Sequence, residues 1–242
     1  MVPWLHLWDR GEVTRPTLPE RPLRADAARN RTAIVAAAQR AFAESGLQVP
    51  LDEIARRAGV GEATLHRRFP DRASLIAAAL GDKMTAYAEA AEQALAEPDP
   101  WEGFRGYVRR VCAMQSGDRG FADLLTVTFA AVNPAIEQAV DPAIELLEER
   151  RSSALRNWIA IVRKAKAAGR LRRDFHPDDL IVLLMANAGV VAATADTAPD
   201  AWQRPIEYML QAFAADNTQP LPAPPARNAL LRAMQRTQGN SV

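Results

Sequence analysis

Apolar residues recur at helical spacing in two short segments of the chain, and a glycine separates the segments. The apolar face of the first segment, residues 51–58, consists of Leu51, Ile54, Ala55 and Ala58. Gly59 follows, where the left-handed turn that ends many helices favours a residue without Cβ. The second segment, residues 61–69, places Leu65 and Phe69 four positions apart on one face. The pattern predicts two short helices joined by a sharp turn.

The outward face of the second helix is polar and partly basic. Gly61 stands where the capping residue is expected, and the outward positions after it are Glu62, Ala63, Thr64, His66, Arg67 and Arg68. Arginine, histidine and hydroxyl side chains on so short a helix suit base edges and phosphates. Residues 50–69 are therefore interpreted as a helix-turn-helix that enters the major groove of DNA.

Arg72 follows this motif, in the first turn of a helix for which Asp71 is the predicted N-cap. A cation at a helix N-terminus opposes the helix dipole. A phosphate bound beside Arg72 would explain its position, and the alternative is a guanidinium that is simply solvated.

A further helix is predicted upstream, at residues 26–45, with Ile34, Ala38 and Phe42 on its apolar side and Gly46 just beyond its end. The three short helices then share one small core. Residues 1–23 contain several prolines and lack helical periodicity, which predicts a flexible extension. Arg24 at its end could reach a minor groove, or the extension could be a disordered tail.

This three-helix unit with a longer fourth helix resembles the TetR family of one-component transcriptional regulators. The resemblance covers residues 24–84, and it rests on residues 54–60 together with Ile34, Ala37, Ala38, Phe42, Gly46, Thr64, Leu65, Phe69, Arg72 and Leu75. It implies a homodimer that binds a palindromic operator in double-stranded DNA, usually as a repressor. It also implies release of that operator when a small-molecule effector fills a pocket in the C-terminal helices.

Carried over position by position, the resemblance implies base contacts near Glu62, Ala63 and Arg67, and phosphate contacts at Thr64, His66 and Arg72. The chain departs from the family at Pro50, where a serine or threonine cap is usual, and at His66, where tyrosine is usual. Because an imidazole titrates near neutral pH, His66 would make DNA affinity modestly pH-dependent. Arg68, where the family often has histidine, is either a phosphate clamp or a solvated charge.

The charge distribution also favours DNA as a partner of the N-terminal region. Residues 21–72 contain ten arginines and six acidic residues, whereas residues 73–218 contain fifteen lysines or arginines and twenty acidic residues. The positive potential is therefore concentrated in the predicted DNA-binding head.

Beyond residue 72 the pattern remains helical, with predicted helices at about 72–96, 100–116, 119–132, 134–168, 177–195 and 200–215. Pro142 should kink or split the long segment, which leaves a helix over 142–168. The fold class predicted is all-α: a three-helix head at 24–71 and a helical body at 72–218 for ligand binding and dimerisation. Residues 219–242 should form a Pro-rich linker and a short helix docked by Leu230, Leu231 and Met234, on either subunit.

The helix at 177–195 is apolar around most of its circumference, so more than one of its sides must be covered. In the family resemblance it forms a four-helix dimer interface with the next helix and their twofold mates, and burial within the monomer is the alternative. The expected interface residues are Leu184, Ala188, Val191, Trp202, Ile206, Met209 and Phe213. A dimer would set two recognition helices about one DNA turn apart, roughly 34–36 Å.

The body also contains apolar and aromatic residues of the kind that surround small hydrophobic ligands. The candidates are Tyr87, Phe104, Val108, Phe121, Leu125, Thr128, Phe129, Leu155, Trp158 and Ile159, for each of which ordinary core is the alternative. Arg151 lies on the same helical row as Leu147 and Leu155. Its guanidinium would bind a ligand carboxylate, pair internally or extend to solvent.

Other functional classes find little support in the sequence. A single cysteine excludes an intramolecular disulfide, and Cys112 fits a core position better than a redox sensor. The three histidines show no metal-binding spacing, and no catalytic motif, cofactor site, signal peptide or transmembrane stretch is visible. We expect a cytoplasmic DNA-binding regulator and not an enzyme. The alternative is a helical carrier or protein-interaction module with a vestigial head.

Overall fold

The computed structural model describes residues 21–126, 141–226 and 229–230. The named helices of these ranges are α1 (Arg21–Ser45), α2 (Leu51–Ala58), α3 (Glu62–Arg68), α4 (Arg72–Ala96), α5 (Pro100–Ser116), α6 (Arg119–Thr126), α7 (Pro142–Ala167), α8 (Asp179–Thr194) and α9 (Gln203–Ala212). The all-α prediction is confirmed. The part of the predicted 119–132 helix beyond 126, with Thr128 and Phe129, lies outside the described residues.

The head is built from α1, α2 and α3 around fully buried apolar side chains. Phe42, Ile54, Leu65 and Phe69 are each at most 2% exposed, so the apolar spacing of the sequence corresponds to one shared core. Gly59 ends α2 in the left-handed conformation, with φ of 69°, and the Val60 N–H donates to the Ala55 carbonyl at 3.1 Å. The helix-turn-helix therefore has the predicted form.

The first helix is longer than the sequence pattern predicts. It begins at Arg21 and not at Asp26, so residues 21–23 belong to α1 and not to a flexible extension. The added residues 21–25 include Leu23, Arg24 and Ala25, which are good helix formers, and Pro22 in the first turn, where no intrahelical N–H bond is lost. The side chains of 21–25 are not described, so a groove contact by Arg24 stays a prediction.

Helix α4 connects the head to the body, because its first half packs in the head and its second half in the body. Asp71 caps it, accepting the Ser74 N–H at 2.7 Å as predicted. Leu75 and Ile76 are fully buried near its start, and Tyr87 is buried near its middle. A movement of α4 would therefore change packing contacts in both the head and the body.

The body has an aromatic core between α5, α7 and the segment before α8. Phe104 and Tyr107 each stack on Trp158 with ring centroids 5.4 Å apart. Trp158 also donates its indole N–H to the Pro177 carbonyl at 2.8 Å. Phe175 meets Phe104 edge-on at 5.3 Å. These contacts bury large rings while satisfying the polar atom of the tryptophan.

Helix starts in the body follow the acidic residues and prolines of the sequence. Asp99 caps α5 and Asp141 caps α7, each with a proline at the first helical position, so the predicted helix start at Pro142 is confirmed, while the predicted part at 134–140 lies outside the described residues. Helix α8 begins at Asp179, two residues later than the predicted start.

The C-terminal segment is attached to its own protomer. Arg172 binds Asp174 and the Gln219 carbonyl, and the Leu221 N–H donates to Asp174 at 3.1 Å. Leu230 is 9% exposed in the single chain, and docking on its own or on the other subunit stays a prediction. Leu231 and Met234 lie outside the described residues.

None of the helices within residues 21–126 and 141–226 is both long enough and apolar enough to span a membrane.

Candidate nucleic-acid interface and regulatory body

The outward face of α3 is exposed, and its inward face anchors it to the head. Leu65 is 1% exposed and Phe69 2%. Gly61 precedes the helix, and its carbonyl accepts the Thr64 and Leu65 N–H groups at 2.9 and 3.1 Å. The exposed residues are Gly61, Glu62, Ala63, His66, Arg67 and Arg68, with Thr64 half-buried. The predicted DNA-contacting side chains of this helix therefore share one accessible surface, and their individual contacts stay predictions.

Within this surface one arginine is already oriented. The Arg67 guanidinium donates to the Thr64 hydroxyl at 3.0 Å, one turn earlier on α3. An interaction at this spacing limits the rotamers of a long side chain without neutralising its charge. Arg31 of α1 lies over the Phe69 ring, 5.2 Å from its centroid, and adds a second cation at the end of α3.

The arginines of α2 differ from those of α3 because acidic residues neutralise them. Arg56 and Arg57 each bind Glu53 at 2.7 Å, and Arg57 also binds Glu44 at 2.6 Å. These hydrogen bonds lower the pKa of Glu53 from 4.5 to about 2. In the described part of the chain, His66, Arg67 and Arg68 form no ion pair with an acid. The unneutralised positive charge of the motif therefore lies on α3.

Arg72 has a role that neither sequence interpretation anticipated. One of its guanidinium nitrogens donates to the Leu47 and Val49 carbonyls, at 2.8 and 2.7 Å. Burial lowers the pKa of Arg72. It is therefore not simply solvated, since it fastens the α1–α2 connection to the start of α4. A phosphate contact through its other nitrogens stays a prediction, and no local sequence signal indicates the two carbonyls.

Helix α6 of the body is fixed to the same α1–α2 connection. The Asp123 carboxylate accepts the Leu47 N–H at 2.8 Å, and Arg119 donates to the Glu44 carbonyl at 3.3 Å. Gly46 adopts φ of 80°, and a Cβ there would lie 2.5 Å from the Asp123 carboxylate. The body thus touches the head at the loop that precedes the helix-turn-helix.

Part of the predicted dimer interface is buried inside the protomer. Leu184 is 4% exposed, Ile206 2% and Val191 9%, so these three residues are buried within the single chain, and their place at a dimer interface stays a prediction. Phe213 packs edge-on against Phe175 at 4.9 Å, also within its own chain. Trp202 and Met209 pack against the core and are only partly exposed, and Ala188 is half-buried. The apolar periodicity of one segment indicates that two sides of the helix are covered. It does not indicate which side contacts a second subunit.

The exposed side of α8 is a different row of residues. It contains Val182, which is 43% exposed, and the exposed residues Ala186, Gly189 and Ala193, at helical steps of four, three and four. Tyr208 on α9 is 54% exposed, the largest value among the exposed large hydrophobic residues of the described chain. We call this row, with Tyr208, the α8–α9 face.

The predicted ligand pocket corresponds largely to packed core. Phe104, Val108, Phe121 and Trp158 are at most 1% exposed, and Leu125 packs against the same core. Leu155 is 38% exposed and so differs from these buried residues, and a ligand contact by it stays a prediction. It lies on the solvent side of α7, whereas Ala154 and Trp158 on the inner side of the same helix are buried. Arg151 lies 3.4 Å from Glu148, which matches the alternative of an internal pair.

An open groove of about 450 Å³ lies between α5 and α9, away from the predicted pocket residues. Arg109 and Glu207 form a two-pronged ion pair in it, at 2.6 and 2.8 Å. Ile206 and Trp202 supply its apolar wall. Cys112 lies on the inner side of α5, where burial raises the pKa of its thiol to about 12, which favours the core interpretation over a sensor.

Comparison with known proteins agrees with this geometry. Residues 34–79, from α1 into α4, match the family model "Bacterial regulatory proteins, tetR family". The transcriptional repressor BepR of Brucella suis biovar 1 (strain 1330) is 27% identical over 174 residues, which are 70% of this chain and 81% of BepR.

Two solved structures illustrate the range of similarity. The TetR transcriptional regulator SCO0520 from Streptomyces coelicolor is 31% identical, over 76% of this chain and 98% of the other, with a TM-score of 0.45. The regulator FadR from Bacillus subtilis, in complex with stearoyl-CoA, is 17% identical over 74% and 96%, with a TM-score of 0.51, and shows the fold alone. By its helix-turn-helix, its match to the family model and its 31% sequence identity to SCO0520 over 98% of that chain, the protein belongs to the TetR family of bacterial regulatory proteins and is a DNA-binding transcriptional regulator.

Proposed function

We propose that the protein represses transcription from a palindromic operator and leaves it when a small molecule binds the body. The exposed α3 face carries this proposal, because its cations are unneutralised while those of α2 are paired with Glu53 and Glu44. Arg67 and Arg68 would meet base edges and phosphates in the major groove. The similarity to the repressor BepR favours repression over activation.

The functional unit would be a dimer joined through the α8–α9 face. Its small residues, Ala186, Gly189 and Ala193, permit close approach of two helices, while Val182 and Tyr208 supply apolar area. Two copies would present two α3 helices to successive major grooves of an operator with twofold symmetry.

Release would pass through α6. Asp123 bonds the loop before α2, Arg119 bonds the last turn of α1 beside it, and Arg72 of α4 bonds the same loop. A ligand that favours a different placement of α6 would therefore shift the population of head orientations. A coupling of about 1–3 kcal/mol is typical of such a linkage and lowers operator affinity by roughly 5- to 150-fold.

The protein would act by binding and not by catalysis. A regulator of bacterial genes works where the chromosome lies, so we propose the cytoplasm as its place of action.

The direct test is selection of bound duplexes from a random DNA pool with the full-length protein, followed by a salt titration on the enriched sequence. A palindromic consensus is expected, with affinity that falls steeply as salt rises, because each neutralised phosphate releases counterions. Arg67→Ala should bind the consensus weakly, and Arg163→Ala, which removes an exposed arginine of α7, should bind normally. Absence of any enriched site would favour the carrier alternative.

A further inference from the structure

Two neighbouring side chains in the middle of the body retain buried polar atoms without hydrogen-bond partners. Gln115 in the last turn of α5 is fully buried, and Asn187 in the middle of α8 is 3% exposed. Among the described residues, the Gln115 amide nitrogen and the Asn187 amide oxygen have no partner. An unsatisfied buried polar group costs about 1–3 kcal/mol. Such groups in native proteins call for a specific explanation.

The orientation of both amides follows from the bonds that they do make. The Asn187 amide nitrogen donates to the Gln115 amide oxygen at 2.9 Å and to the Cys112 carbonyl at 3.3 Å. Turning the Gln115 amide over would place its nitrogen against the Asn187 nitrogen, so that two donors would meet. Turning the Asn187 amide over would place its oxygen against the Cys112 carbonyl oxygen, so that two acceptors would meet. The free atoms are therefore a donor on Gln115 and an acceptor on Asn187.

The surroundings of the pair are apolar. On α8, Leu183 and Val191 lie one turn before and one turn after Asn187 on the same inward row, and both are buried. On α5, Val111 precedes Gln115 by one turn and is fully buried. Leucine at either position would continue these rows without any unsatisfied group. The two amides therefore make the core less stable than leucines would, and a function that needs them would explain their presence.

We propose that Gln115 and Asn187 bind the polar end of the effector, and that the effector is a neutral, largely apolar molecule with a hydroxyl or carboxamide group. Such a group accepts from Gln115 and donates to Asn187 at once, which satisfies both free atoms. A carboxylate would meet the Asn187 oxygen as acceptor against acceptor, and an ammonium would meet the Gln115 nitrogen as donor against donor. This proposal rests on the function proposed above and specifies its ligand.

The place of the pair suits regulation as well as recognition. It lies between α5 and α8, and both helices pack against α6. Helix α6 in turn holds the head loop through Asp123. A ligand that enters between α5 and α8 to reach the two amides would displace α6, the helix that contacts the head.

The test is calorimetric titration of the full-length protein, without DNA, with four probes of similar size: 1-naphthol, 1-naphthamide, 1-methylnaphthalene and 1-naphthoate. We expect the alcohol and the amide to bind on the order of tenfold or more tightly than the methyl compound and the anion, since each lost hydrogen bond leaves a buried partner unsatisfied. Equal binding of all four, or saturable binding of none, would overturn the proposal.

Variants separate recognition by the two amides from general apolar binding. In Gln115→Met and in Asn187→Leu the preference for the hydroxyl over the methyl compound should fall to about one, with methyl binding retained. Gln211→Met, which changes an exposed glutamine of α9, should keep the preference. If one amide variant fails to fold, the other still decides the question. A preference that survives in both variants would assign the amides to a structural role, for example around a buried water.

The outcome is independent of the operator experiment. A protein that binds a palindrome but shows no hydroxyl preference refutes only the ligand class. A protein that shows the preference but binds no DNA refutes only the regulator.

Discussion

The head and the body differ in where they keep their unsatisfied polar groups. In the head, Arg67 and Arg68 have no acidic partner among the described residues and lie on the outside of α3, where water solvates their charges until DNA replaces it. In the described part of the body such unsatisfied polar atoms are buried, and they include the free amide atoms of Gln115 and Asn187. A large, charged, extended partner requires an exposed surface, whereas a small neutral ligand is best recognised where water is excluded. The two regions thus show two solutions to recognition in one chain.

The largest expected effect comes from separating the two heads, and it tests whether the body serves the head as a dimerisation unit. Val182→Asp places a charge on the α8–α9 face and should yield monomers, because burying an unpaired carboxylate is costly. Operator affinity should fall by about 10²–10⁴-fold as the avidity of two half-sites is lost. Sedimentation analysis and DNA titration measure the two effects.

The matched control is Leu146→Asp, which places the same charge on α7 at a residue 48% exposed. It should leave the dimer intact. If the Val182→Asp protein remained a dimer, the dimer interface would not be the α8–α9 face.

The second prediction concerns the outer face of α3 itself. Arg67→Ala should lower operator affinity by about 5- to 150-fold, which corresponds to 1–3 kcal/mol, and should relax specificity at one base position. Binding measured on the consensus and on single-base variants shows both effects. An unchanged preference at every position would make Arg67 a phosphate contact and not a base contact.

The third prediction separates the internal role of Arg72 from a contact with DNA. Arg72→Ala leaves the Leu47 and Val49 carbonyls without their donor, so the free energy of unfolding should fall by about 1–3 kcal/mol. The slope of log affinity against log salt should stay unchanged for the folded protein. A slope smaller by about one would instead show that Arg72 also neutralises a phosphate.

The fourth prediction tests the contact between the two regions with a pair of glycines. Gly46 and Gly59 both have positive φ, so alanine should cost about 1 kcal/mol at either position. At Gly46 the new Cβ would also lie 2.5 Å from the Asp123 carboxylate, whereas at Gly59 nothing lies within 4 Å. Chemical denaturation should therefore show an additional loss of about 1 kcal/mol or more in Gly46→Ala.

The same variant tests the coupling. Because Asp123 must release the Leu47 N–H to make room, Gly46→Ala should also weaken the response of the head to an effector, while Gly59→Ala should not. If the two variants responded equally to an effector, α6 would not be the element that couples the body to the head.

The smallest effect is a pH dependence within the head. Glu53 has its pKa lowered to about 2 by Arg56 and Arg57, so its contribution to stability is complete above its ordinary pKa of 4.5 and is lost as pH falls towards 2. Glu53→Gln should therefore lose less stability than the native chain between about pH 5 and pH 3. Thermal unfolding measured across this interval, with Asp52→Asn as control on the same helix, would show it. Parallel curves for native and Glu53→Gln proteins would contradict the assignment.

Local sequence patterns predicted most of the fold and the α3 surface. The helix boundaries of α2, α3, α4, α5 and α7 follow from apolar periodicity, the glycines at 46 and 59, and the acid–proline pairs at 99–100 and 141–142. These signals act within a few residues of each other, so one chain suffices to recognise them. The roles of Arg72, Leu155 and Leu184 could not be predicted in this way, because each depends on which distant segment lies against it.

The sequence by itself therefore determined the class of the protein: a helix-turn-helix whose exposed helix carries cations, followed by an all-α body. Only the tertiary structure decided that Arg72 holds a loop, that Asp123 links body to head, and that the side of α8 with Val182 is the exposed one. It also decided that Gln115 and Asn187 meet in the core, 72 positions apart in the chain. The physical reason is that periodicity reports which residues share a face, while packing between distant helices determines what each face meets.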